Sequence, residues 1–205
     1  MAEKGMLIVV SAPSGTGKGA IIDRLMSDDS NIRHSVSATT REPRNGEVDG
    51  KSYYFISRKE FERMINDSEL LEWDEYCGNY YGTPRKYIEE ATENGTDVIL
   101  DITVAGAISI RKNYSDAVMI FVLPPSIAEL ENRIKNRGSE SQESLRKRLD
   151  YAYSEFRHVG DYEYVVVNDD LETAVGEVKT IIKAERMKYR RNPSILDELY
   201  KGEIK

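Results

Sequence analysis

The residues with the clearest chemical use lie near the start of the 205-residue chain, in the run Leu7-Ile8-Val9-Val10-Ser11-Ala12-Pro13-Ser14-Gly15-Thr16-Gly17-Lys18. A short apolar strand feeds a loop of small residues, then a lysine, then a helical pattern that starts near Gly19. Glycines let backbone N–H groups converge on an anion, the following helix adds its positive N-terminal end, and the lysine adds a full charge. The spacing predicts a phosphate-binding loop of the P-loop type. Ser14, Gly15, Thr16, Gly17, Lys18 and Gly19 would surround the phosphates of a nucleoside triphosphate. The plainer reading is a glycine-rich turn between strand and helix; the position of Lys18 weighs against it. Ala12 stands where the usual pattern has its first glycine, and Gly19 where it has a hydroxyl for Mg²⁺. The metal must therefore rely on waters, nucleotide phosphates and a carboxylate elsewhere, which suits an ion that keeps several of its waters.

A second constellation follows. Arg41 and Arg44 flank Pro43, and Tyr53, Glu72, Tyr81 and Thr83 come soon after. Two guanidinium groups with two tyrosine hydroxyls can hold a phosphate dianion through charge-assisted hydrogen bonds. A carboxylate such as Glu72 can accept from the N1–H and N2–H₂ edge of guanine, a donor pair that adenine lacks. Hydroxyls of Ser37 and Thr83 can donate to guanine O6. For the arginines alone, solvated surface charge is the simpler explanation; beside the phosphate loop it is not.

Elements must bring these groups together. Val98-Ile99-Leu100, Val118–Leu123 and Tyr164–Val167 read as buried parallel strands. Helices are signalled between them by Pro84 at a first turn, by Ser126 with Glu129 as a capping box, and by Asp170 as a cap. Such alternation predicts an α/β fold with a parallel sheet flanked by helices. Ser35–Thr39, Tyr53–Ile56 and Leu70–Tyr76 read as shorter strands, with a helix capped by Ser57 among them. They predict a small mixed lobe inserted into the core. The arginine-rich stretch from Ser126 to His158 predicts a mobile helical lid, and the tail beyond Arg186 a helical or partly disordered extension.

Bulk properties narrow the function. The net charge of −7 argues against a general nucleic-acid binder, which needs a basic footprint. A single cysteine, Cys77, excludes an internal disulfide framework and points to a reducing compartment. His34 and His158 form no metal-ligand spacing with it. No segment has the length of a transmembrane helix, and the first residues lack a signal-peptide pattern. The expectation is a cytoplasmic protein, a monomer or small homo-oligomer, that binds neither nucleic acid nor membrane.

The strings Thr39-Thr40-Arg41-x-Pro43-Arg44, Gly78–Thr83, Arg137-Gly138-x-Glu140-Ser141 and Val166-Val167-Asn168-Asp169-Asp170 together resemble the guanylate kinase family, from Leu7 to about Glu185. The resemblance implies a P-loop NTPase core (1–33, 84–125 and 160–187), a GMP-binding lobe (34–83), a lid (126–159) and a C-terminal extension (188–205). It implies transfer of a phosphoryl group from ATP to GMP, with Mg²⁺, and dGMP as a second acceptor. By matching position, Arg41, Arg44, Tyr53 and Tyr81 would hold the GMP phosphate, and Ser37, Glu72 and Thr83 would read guanine. Lys18 with the loop backbone would hold the ATP phosphates, and Arg137 and Arg148, with Arg133 nearby, would close over the transferring group and the adenine. Lys18, Arg41, Arg137 and Arg148 would be the catalytic cations. Asn168 would lie beside the adenine. Asp101 would orient the waters of Mg²⁺ and border the GMP site. The chain departs from the family at Thr103, where a second acid commonly helps read the guanine amino group, and at Ala105, commonly Gln. A neutral acceptor in place of a charged one predicts weaker or less selective guanine binding. Alternatives are a non-catalytic guanylate kinase-like binding module and a P-loop kinase for another phosphorylated small molecule.

Overall fold

A computed structural model describes residues 4–76, 78–136 and 142–202. In chain order the strands are β1 (Leu7–Ser11), β2 (Ile32–His34), β3 (Ala38–Thr39), β4 (Tyr54–Phe55), β5 (Leu70–Tyr76), β6 (Asn79–Pro84), β7 (Asp97–Asp101), β8 (Val118–Leu123) and β9 (Tyr164–Val167). The helices are α1 (Lys18–Asp28), α2 (Arg58–Asn66), α3 (Arg85–Glu93), α4 (Val104–Asn113), α5 (Ile127–Asn136), α6 (Gln142–Phe156), α7 (Leu171–Arg186) and α8 (Ile195–Lys201). Five strands form a parallel sheet in the order β2-β7-β1-β8-β9, and four form a mixed sheet in the order β4-β3-β6-β5.

Alternation along β1 explains the two cores. Ile8 and Val10 point to one face and pack with Ile21 and Leu25 of α1 and Val178 and Ile182 of α7. Val9 points to the other face and packs with Leu100, Phe121, Ile88 of α3, and Ala107 and Ile110 of α4. A sheet buried on both faces needs apolar residues at nearly every position, which is why its strands read as continuous hydrophobic runs. The mixed sheet has its own smaller core, in which Ala38 and Leu70 pack against Phe61 of α2.

The strands Val118–Leu123, Tyr164–Val167 and Leu70–Tyr76 fall where the sequence places them. The caps form as well: the backbone N–H groups of Glu60, Glu129 and Thr173 donate to the side chains of Ser57, Ser126 and Asp170. Two expectations change. The expected strand Ser35–Thr39 shortens to Ala38–Thr39 in the mixed sheet, and Ile32–His34, just before it, forms a separate strand of the parallel sheet beside β7. Helix α4 has no counterpart in the sequence reading. Thr103, noted there as a departure near the ligand, is its N-cap and accepts from the Gly106 N–H.

Part of the stretch expected to be a lid packs closely against the core. Leu130 and Ile134 of α5 are fully buried, with Ala152 of α6, and lie under the phosphate loop. A Cβ on Gly15 would sit 2.9 Å from Ile134 Cγ1. The tail is pinned at its start, where buried Glu185 accepts from Tyr164 Oη, Lys188 and Arg191. Beyond it the chain forms α8.

Candidate active site

The phosphate loop runs from the C-terminal end of β1 to the first turn of α1, the edge of a parallel sheet where ligands gather. Gly15 and Gly17 have φ of 98° and 89°, a region closed to most side chains. At Gly17 space forbids a side chain too: a Cβ would meet Asn168 Nδ2 at 2.4 Å. Asn168 Nδ2 donates to the Thr16 carbonyl at 2.7 Å, and Arg133 donates to the Asn168 and Thr16 carbonyls at 3.0 and 3.4 Å. Asn168 and Arg133 thus hold the loop from behind. Thr16 turns its hydroxyl inward to the Pro13 carbonyl.

Lys18 forms an ion pair with Asp101 at the end of β7 and reaches toward the Ile102 carbonyl at 3.5 Å. Ser14 Oγ accepts from Arg148 of α6 at 2.5 Å. Arg148 therefore spans from the helix to the loop. At Gly19 a Cβ would touch nothing within 4 Å, so the position usually given to a hydroxyl opens into free space.

The mixed sheet supplies the other wall. Arg41 pairs with Glu47 at 2.8 Å and stands over the rings of Tyr53 and Phe55 at 5.5 and 5.8 Å. Glu47 also accepts from the Arg44 backbone N–H at 2.7 Å, so one carboxylate shapes the whole arginine turn. The rings of Tyr53 and Tyr81 meet edge to face with centroids 6.1 Å apart. Burial pushes the Tyr53 hydroxyl above its usual pKa, which keeps it a hydrogen-bond donor.

Glu72 sits deeper, only 5% exposed, and accepts from Thr83 Oγ1 at 2.6 Å. The contact arises because β5 and β6 pair Glu72 with Thr83, just past an irregularity at Leu70–Glu72. Burial raises the Glu72 carboxyl to about 7, and the nearby negative Asp74 adds to the rise, while the Thr83 hydrogen bonds oppose it. Gly106 packs against it: a Cβ there would sit 2.4 Å from Glu72 Oε2.

Most of the expected residues line one cleft of about 970 Å³. Ser14 through Gly19 and Asp101 form one side; Ser37, Arg41, Arg44, Tyr53, Glu72 and Tyr81 form the other, with Arg148 above. Such a volume is at the upper end for small-molecule sites and far exceeds that of a lone phosphate. Three expected residues do not line it. Thr83 stands behind Glu72, and Arg133 and Asn168 stand behind the loop. Arg137 lies outside the described residues.

Glu155, Asp74, Tyr76 and Tyr151 line the cleft without having been singled out in the sequence. Tyr76 of β5 and Tyr151 of α6 meet across it, with ring centroids 5.3 Å apart. Glu155 of α6 is buried, its Oε2 has no hydrogen-bond partner among the described residues, and burial raises its carboxyl to about 7 against the pull of Lys18. A sequence signal for these four was lacking, because each belongs to an ordinary helical or strand pattern. Glu47, which shapes the arginine turn, also was not singled out, although it lies three residues past Arg44 in a turn with Asn45-Gly46.

A parallel sheet, a phosphate loop braced from behind and a second wall of arginine, tyrosine and carboxylate define an α/β protein of the P-loop nucleotide-binding class. A family model described as guanylate kinase matches residues 4–185. The guanylate kinase of Symbiobacterium thermophilum is 53% identical over 203 residues, covering 98% of this chain and 96% of that protein. The guanylate kinase of Halalkalibacterium halodurans is 51% identical over 189 residues, 92% of this chain and 93% of that protein. The crystal structure of guanylate kinase from Anaplasma phagocytophilum superposes with a TM-score of 0.82 at 35% identity, covering 100% of this chain and 98% of that one. The chain belongs to the guanylate kinase family.

Proposed function

We propose that this chain transfers the γ-phosphoryl group of ATP to GMP, giving ADP and GDP. The observation that carries the reading is a single cleft with the braced phosphate loop and Lys18 on one wall and the buried Glu72, behind the arginine–tyrosine cluster, on the other. In this reading the loop N–H groups and Lys18 take the ATP phosphates, Arg41, Arg44, Tyr53 and Tyr81 take the GMP phosphate, and Ser37 and Glu72 face the base. Thr83 acts through Glu72, whose carboxylate it orients. Arg148 and Arg137 neutralise charge on the transferring group. Arg133 and Asn168 serve ATP by fixing the loop. dGMP presents the same base and phosphate and is proposed as a second acceptor.

The chemistry asks little covalent help of the protein. The attacking group is already a phosphate oxygen anion, so no general base is needed. Cations must sit where negative charge accumulates, and the two nucleotides must be held in line. The residues present fit Mg²⁺: Asp101 offers a carboxylate at the strand end, and Gly19 leaves room for water. An ion held by Asp101 through water would neutralise phosphate charge. Among the described residues no helix is long and apolar enough to cross a membrane. A cytoplasmic location accords with the single cysteine.

The test is ADP release from ATP and Mg²⁺ with GMP, dGMP, AMP, CMP or UMP as acceptor. Release confined to GMP and dGMP is expected. Equal release with AMP would defeat the guanine reading, and no release from protein that still binds GMP would replace the enzyme with a binding module.

A further inference from the structure

We infer that Asp74 is a second carboxylate for the base, accepting a hydrogen bond from the 2-amino group of guanine beside Glu72. The inference rests on the GMP reading above and adds a specificity residue to it. Glu72 and Asp74 are alternate residues of β5, so their side chains leave the same face of the strand, and both line the cleft. The guanine edge presents three N–H bonds, one on N1 and two on the 2-amino group. Glu72 Oε1 already accepts from Thr83, and Oε2 is hemmed by Gly106. A single carboxylate so held can serve N1–H and one amino hydrogen, and the remaining one needs another acceptor.

Asp74 is oriented for that task by Thr103. The Thr103 hydroxyl accepts from the Gly106 N–H as the cap of α4, and it gives its one proton to Asp74 Oδ2 at 3.2 Å. It therefore keeps no proton for a ligand and acts on the base through Asp74. Among the described residues no other hydrogen bond reaches the Asp74 side chain, so its capacity to accept is largely unspent. The charge that Thr103 lacks is thereby supplied from the neighbouring strand. Two like-charged carboxylates side by side are unfavourable until a ligand bridges them with N–H donors. The raised Glu72 carboxyl records that repulsion in part. A base that turns a lone pair toward them, as adenine N1 does, is repelled. A base that lacks the amino group leaves Asp74 unanswered.

The simpler role for Asp74 is to anchor Thr103 and so tie α4 to β5. IMP separates the two, because it keeps N1–H and O6 and lacks only the amino group. Steady-state kinetics at saturating ATP would compare GMP and IMP for the wild type, Asp74→Ala and Asp74→Asn. Loss of a charge-assisted hydrogen bond should lower kcat/KM for GMP by about 10- to 100-fold, mainly through KM, and leave IMP within about twofold. The GMP-to-IMP preference then collapses in Asp74→Ala and falls less far in Asp74→Asn, which keeps the shape and an acceptor oxygen. Equal losses for GMP and IMP, or an unchanged preference in both variants, would overturn the inference and leave the anchoring role. Failure of the wild type to phosphorylate GMP would instead defeat the proposed function.

Discussion

Lys18 and Glu72 make the sharpest demands on single side chains. Lys18 pairs with an Asp101 side chain that remains 34% exposed, so removing the lysine leaves a carboxylate that water can still solvate. Lys18→Ala should cut kcat by at least about 100-fold while the melting temperature barely moves. Activity within a few-fold of wild type would sink the phosphate-loop assignment. In the proposed function Glu72 accepts from two N–H donors of guanine and must be ionised to do so, while burial raises its carboxyl to about 7 in the unliganded protein. The kcat/KM for GMP should therefore rise with pH through about 7, since that ratio reports the free enzyme. The GMP phosphate itself titrates near about 6. The comparison with Glu72→Gln isolates the residue: the variant should lose the upper inflection and bind GMP more weakly, with the KM for ATP little changed. The same inflection in both proteins would assign it elsewhere.

At the scale of elements, the phosphate loop depends on neighbours distant in the chain. Asn168, just after β9, donates to the Thr16 carbonyl, and Arg133 of α5 reaches the carbonyls of both residues. Asn168→Ala removes the stronger brace and leaves the Thr16 carbonyl with the longer Arg133 contact. The KM for ATP should rise about tenfold, from the loss of about one hydrogen bond's positioning, and the KM for GMP should rise much less. A matched rise in both would mean that the brace stabilises the whole cleft rather than the loop. The helices around this site differ in how openly the sequence announces them. Ser57, Ser126 and Asp170 are followed by helix-compatible residues and cap as expected. Helix α4 opens with Val104-Ala105-Gly106-Ala107, small and β-branched residues with little amphipathic contrast, because it lies against both the sheet and Glu72. Its burial came from tertiary packing, and its cap looked like a ligand contact.

For the whole molecule, the cleft is a source of pH-dependent stability. A carboxyl whose folded pKa is raised holds its proton in the folded state after the unfolded chain has released it. Its favourable contribution is complete below about 4.5 and is lost as pH rises toward about 7. Glu155 lies in this class, with burial as the cause. His34 is held below its usual value by burial and gives the opposite slope in an overlapping range. The informative quantity is therefore the difference between wild type and Glu155→Gln in urea unfolding at pH 5 and pH 7.5. Glu155→Gln should gain stability relative to wild type as the pH rises. A constant difference at both values would show that Glu155 ionises as freely in the folded protein as in the unfolded chain.

The sequence by itself determined the strand–loop–helix around Lys18, three of the parallel strands, the capped helices, the arginine–tyrosine cluster and Glu72. Each of these is signalled locally, by period, by cap residues or by glycine at a turn. Only the tertiary structure decided which groups share the cleft and which stand behind it. Strand register set Thr83 on Glu72, and the approach of α4 to β5 turned Thr103 from a presumed base reader into the residue that holds Asp74. The packing of α5 set Leu130 and Ile134 beneath Gly15 of the phosphate loop. Local signals report what a segment prefers to be; the partner of a polar side chain across 29 or 152 positions is set by packing, which no local pattern records.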